Sequence, residues 1–123
     1  TAYPVLVSTV DGDGNATAGL RHPVLQVPHA TLLGWNLRAE GYAKGDLYSS
    51  IGGKVPLARS KAERLAKGDP RASIEERYAS NADYVAKLRQ VCDTMIIDRL
   101  LLSEDGDRIV AAAEAGENVL TAA

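Results

Sequence analysis

The chain has 123 residues and a mass of 13.0 kDa, which is enough for one domain and hardly enough for two. Fourteen Lys and Arg against sixteen Asp and Glu leave a net charge of −2, which excludes a general attraction to nucleic acid or to an acidic membrane surface. The lone Cys92 excludes an intrachain disulfide and a cysteine-built zinc site, and no apolar run approaches the roughly 20 residues of a bilayer span.

The first 57 residues hold eight of the eleven Gly and four of the five Pro, with only eight charges. The remaining 66 carry ten basic and twelve acidic residues, with three Gly and one Pro. Gly and Pro punctuate turns, whereas Ala, Leu and long charged residues favour helix. An α+β fold follows: a β-hairpin and Gly/Pro-rich loop over 1–57, helices over 58–116 and a fraying tail over 117–123, together one unit.

Tyr3 to Val10 is rich in β-branched residues and ends at DGDGN (11–15), a dense turn signal, so a strand and hairpin are expected there. DGDGN also has the alternating oxygens that open a calcium loop. Ala16 and His22 stand where that loop needs Gly and Glu, which leaves a turn. Residues 16–27, broken by Pro23, read as an extended segment. Residues 34–57 hold five glycines and read as a long loop, with a turn of helix near Leu37 to Ala43. IGGK (51–54) resembles the end of a phosphate loop, but Val55 follows the Lys and Tyr48 takes the place of the first glycine.

The helical part opens with capping boxes at Ser60/Glu63 and Ser73/Glu76, and a further start at Ser80 with Asp83. Gly68-Asp-Pro70 stops the first of these helices. The longest periodic segment runs from about 81 to 102, its apolar residues Tyr84, Val85, Leu88, Val91, Cys92, Met95, Ile96 and Leu100 mostly three or four apart, one stripe of a helix. Cys92 on that stripe reads as a buried hydrophobe. Asp83 and Lys87 lie on the outer face in the favourable order. A last helix, about 104–115, starts at Ser103 and stops at Gly116.

Few residues offer chemistry. His22 and His29 are seven apart and are the only histidines, too few for a complete zinc site, and the chain has no G-x-S-x-G. They read first as structural or solvent-facing, with a shared metal as a weaker idea. GWNLR (34–38) joins the only Trp to an amide and a guanidinium. Trp35, Asn36 and Arg38 could line a pocket, the ring giving apolar surface and the polar groups orientation. Against that stands a packing role for Trp35 and a carboxylate partner for Arg38.

The strings DGDGN, GLRHPVLQVPHATLLGWNLR, GGKVPLARSKAERLAKGDPRASIEERY, YVAKLR and LLSEDGDRIVAAAEA, in that order, resemble the C-terminal region of a family of bacterial α/β-hydrolase-domain proteins. The resemblance covers about Tyr3 to Ala115 and is strongest at Gly34 to Arg38 and at Ala62 to Tyr78. His22 and His29 stand where the family pattern has apolar residues, Ser103 where it has Pro, and Gly106 where it has Ala. Gly12 and Leu100 depart from the pattern as well. The resemblance implies an esterase-like hydrolase whose nucleophile lies upstream, because nucleophile, acid and base follow in that order. It assigns no catalytic residue and no metal or cofactor to this chain, and brings Trp35, Asn36 and Arg38 nearest the substrate. The chain begins at Thr1 rather than Met and shows no signal peptide, so a piece of a longer polypeptide is expected. Its partner is then the remainder of that polypeptide or another copy of the chain, with neither nucleic acid nor membrane. The alternative is a self-standing α+β binding or oligomerisation module that docks through the stripe of its long helix.

Overall fold

The computed structural model of the protein describes residues 2–4, 6–48 and 50–116. The expected fraying of 117–123 lies outside them. DGDGN folds as a turn, with the Asp11 carboxylate accepting from the N–H groups of Asp13 and Asn15 at 2.9 and 3.0 Å. Pairing across it is brief: one antiparallel bridge, Val10 to Ala16, and the Thr17 N–H donating to the Thr9 carbonyl. The strand expected from Tyr3 onward does not extend further among the described residues. Tyr3, Leu6 and Val7 are at least 85% exposed, without the packed face that a β-branched run needs to be held as a strand.

The extended segment expected before Pro28 instead contains a one-turn helix, α1 (Pro23–Gln26). Pro23 sits at its first position, where a missing N–H costs nothing and a fixed φ helps. His22 caps it, Nδ1 accepting from the Val24 N–H at 3.3 Å.

Residues 30–56 form a two-step β-ribbon rather than the expected loop with a helical turn. β1 (Ala30–Leu33) and β4 (Gly53–Pro56) pair antiparallel, from Ala30↔Pro56 to Leu33↔Gly53. Beyond them β2 (Asn36–Leu37) pairs with β3 (Leu47–Tyr48). Arg38 and Asp46 continue the ladder, and the tip turns through Ala43 and Gly45, both at positive φ. A Cβ on Gly52 would lie 2.6 Å from the Leu33 carbonyl oxygen, so only glycine admits this approach of the returning chain.

The helical half follows its caps. α2 (Lys61–Ala66) starts at Ser60, whose hydroxyl accepts from the Glu63 N–H at 3.1 Å. The Glu63 carboxylate reaches back to Arg59, one residue beyond the usual box. α3 (Ile74–Arg77) is closed by Glu76, which accepts from both the Ser73 N–H and its hydroxyl. α4 (Asn81–Ile97) starts at Ser80 and ends five residues earlier than the pattern implies. Arg99, at φ 59, closes a Schellman motif: Arg99 N–H donates to Ile96 and Leu100 N–H to Met95. α5 (Ser103–Glu114) takes Leu102 as its cap, so Ser103 is its first residue rather than the cap, and Gly116 ends it.

The core lies on α4, which packs on α5 and α1. Leu88 and Cys92 are fully buried, with Tyr84, Ile109, Val110, Ala113 and Val24 around them. The apolar stripe of α4 is thus covered within the chain and is not the free docking face that a self-standing module would need. Gly106 has its own reason here: a Cβ there would come 2.9 Å from Ile96 Cδ1 at the α4–α5 contact. Among the described residues no helix is long and apolar enough to cross a membrane.

Candidate functional site

The strings that dominate the sequence converge on a polar hub between the two halves. Arg77 from α3 forms an ion pair with Asp13 of the turn, a fork on both carboxylate oxygens. Asp11 pairs with Arg21 at 2.6 Å. Burial would raise the Asp11 carboxyl, but the N–H groups of Asn15 and Asp13 and the Arg21 guanidinium outweigh it and hold the pKa below the usual range. Asn15 is fully buried: its Nδ2 donates to the Ala30 carbonyl at 3.0 Å, and its Oδ1 accepts from the Leu32 N–H at 2.8 Å. Arg71, clamped by Asp69 at 2.6 Å, donates to the Thr31 hydroxyl and to the carbonyls of Val55 and Pro56, pinning both strands of the inner ladder. Arg71 holds Asp69 at about 2, first through its guanidinium and then its N–H. Among the described residues each acid here has a structural partner, and the hub positions the ribbon.

The two histidines are apart in role. The Nδ1 lone pair of His22 is committed to the α1 cap, and burial lowers its pKa. His29 stacks on Tyr84 with ring centroids 3.8 Å apart and tilts against Tyr78 at 5.4 Å. A 260 Å³ cavity beside them is also lined by Ser80, Glu75 and Arg59. Among the described residues, no hydrogen bond joins His29 to a serine or a carboxylate. Ser80 accepts from the Asp83 N–H, and Glu75 accepts from the Lys61 N–H. Burial, then the Lys54 charge, lowers the His29 pKa, opposite to the effect of an orienting carboxylate. Nor do three or more His, Cys, Asp or Glu among the described residues gather where a metal could be held. Burial pushes the Cys92 thiol up, as befits an inert core cysteine.

The ribbon tip is the more open site. A cavity of about 390 Å³ is lined by Asn36, Leu37, Arg38, Glu40, Tyr42, Tyr48 and Ile51. The Arg38 guanidinium lies 4.9 Å from the Tyr48 ring centroid, a cation–π contact across the β2–β3 ladder. Among the described residues Arg38 makes no ion pair, whereas Glu40 is taken by Lys44. Asn36 turns its Oδ1 onto the Leu37 N–H at 2.8 Å. Trp35, 44% exposed, stands at the corner between the two ladders and is not among the lining residues. The ring in this cavity beside Arg38 is Tyr48, ten residues further on, a cross-strand contact that no local pattern signals.

The sequence profile of the alpha/beta hydrolase domain family matches residues 5–111. No curated protein and no solved structure matches the chain. The matched span takes in the turn, the ribbon, the hub and all but the end of α5, and the chain belongs to the alpha/beta hydrolase domain family.

Proposed function

We propose that this chain is the C-terminal segment of an esterase-like hydrolase of bacterial type, without the nucleophile and inactive alone. One observation carries the reading: the family match runs over residues 5–111 of a sequence that has no G-x-S-x-G. The local structure supports it. Ser60 and Ser80 accept from backbone N–H groups at helix starts, and the buried Ser73 hydroxyl donates to the Glu76 carboxylate, so these three hydroxyls are engaged at helix starts. The exposed apolar side chains Leu6 and Val7 before the turn and Leu47 on the ribbon offer surface for the remainder of the polypeptide. In this reading the hub holds the ribbon against the helices, and Trp35, Asn36 and Arg38 approach the substrate. The partner is the rest of the hydrolase. The test is turnover of a chromogenic short-chain ester by the purified chain. No turnover above the buffer rate is expected; turnover that a serine-directed inhibitor abolishes would overturn the proposal.

A further inference from the structure

We infer that the ribbon-tip cavity takes the carboxylate of a small aromatic or apolar acid on Arg38. The inference rests on the reading above only for the claim that this acid is part of the substrate. The binding itself follows from the cavity. Its walls are apolar at Leu37, Ile51 and the rings of Tyr42 and Tyr48. Such apolar lining suits a ring or short alkyl body, and the polar side chains Asn36, Arg38 and Glu40 set its orientation. Charge selects the other end of the ligand. Arg38 is the single cation lining the cavity, and among the described residues no carboxylate pairs with it. The one acid in the lining, Glu40, is engaged by Lys44. Stacking on Tyr48 pre-orders the Arg38 fork, so less rotamer freedom is lost when two oxygens are bound. Asn36 adds a donor: its Oδ1 is spent on its own chain, which leaves the Nδ2 hydrogens for an acceptor. A guanidinium fork, an amide donor and aromatic walls together recognise a planar carboxylate better than a neutral amide or a free alkyl chain.

The test is an NMR titration of the ¹⁵N-labelled chain with sodium benzoate, with benzamide as the neutral isostere. Benzoate is expected to shift the Arg38 side-chain N–H, the Asn36 side-chain amide and the Tyr48 backbone amide, and benzamide to leave them in place. Arg38→Gln is expected to weaken benzoate binding about tenfold or more, the usual loss of a charge-assisted contact. Tyr48→Leu keeps an apolar wall and removes the stacking partner, so a smaller loss is expected. Equal shifts with benzamide, or unchanged benzoate binding in Arg38→Gln, would overturn the inference. Both substitutions are on the ribbon tip, outside the core, and an unchanged helical spectrum checks the fold. The two proposals fail separately: ester turnover by the isolated chain would sink the functional reading, whereas absence of benzoate shifts would sink only this one.

Discussion

Asn15→Ala tests the hub at its most buried point. The side chain is fully buried and makes two hydrogen bonds to β1, one to the Ala30 carbonyl and one from the Leu32 N–H. Alanine leaves both backbone groups without a partner, and each orphaned group costs about 1–3 kcal/mol. Ala30 is buried and Leu32 half-buried, so water reaches the second group better than the first. A total loss of about 2–4 kcal/mol follows. Unfolding entropy near 2.1 cal/mol/K per residue over 123 residues converts the middle of that range to a Tm drop of roughly 10 °C. Urea unfolding followed by circular dichroism measures it, and the m-value should stay constant. Asn15→Asp is the control. It keeps the acceptor for Leu32, loses the donor to Ala30 and buries a charge, so part of its loss should be recovered as the pH falls and the carboxyl protonates. A change under about 0.5 kcal/mol for Asn15→Ala, the size of an ordinary surface substitution, would refute the hub as the anchor of the ribbon.

Arg99 at φ 59 ends α4 in a conformation that L-residues adopt at a cost of roughly 1–2 kcal/mol and glycine adopts freely. Arg99→Gly is therefore expected to stabilise the chain by about 1 kcal/mol in the same unfolding assay, and destabilisation would contradict the Schellman assignment. Glu76 is held at about 2, first by Arg64 and then by the Ser73 N–H and hydroxyl. A carboxylate lowered in the folded state stabilises above its unfolded pKa and loses that contribution as the pH falls toward the folded value. Stability should therefore fall between about pH 4.5 and pH 2, and Glu76→Gln should flatten that slope; an unchanged slope would place the acid sensitivity elsewhere.

What was legible in the sequence was local. Ser60 with Glu63, Ser73 with Glu76 and Ser80 with Asp83 each announce a helix start because cap and partner are three residues apart. All three starts are where those pairs place them. The stripe from Tyr84 to Leu100 announces the core by its period: Tyr84, Leu88, Cys92 and Met95 are buried, whereas Leu100 lies beyond α4 and is exposed. The end of α4 was hidden because Arg99 stands where glycine would have marked it. α1 was hidden because Pro23 reads as a breaker, although at a first position it starts a helix, and its cap is a histidine. The ribbon was hidden because strands of two to four residues carry little pattern and find their partners 10 to 26 residues away, from Leu37↔Leu47 to Ala30↔Pro56. At the candidate site, Asn36 and Arg38 were visible as neighbours in GWNLR. Tyr48 was not, because only the β2–β3 pairing brings it to Arg38.

The hub gives the motif strings a structural role. DGDGN supplies Asp11, Asp13 and Asn15, GDPR supplies Asp69 and Arg71, and EERY supplies Glu76 and Arg77, whose contacts hold the turn, tie it to α3, pin the ribbon and cap a helix start. In the proposed reading the family's signature in this chain is a scaffold, and the reacting serine is elsewhere in the hydrolase.

The most direct measurement of that claim is covalent labelling with a fluorophosphonate, which reacts with activated serines. Intact-mass spectrometry of the purified chain, followed by peptide mapping of any labelled species, reads the result. The account predicts no mass increase on the chain. A label on any serine of this chain, lost when that serine is replaced by alanine, would contradict it.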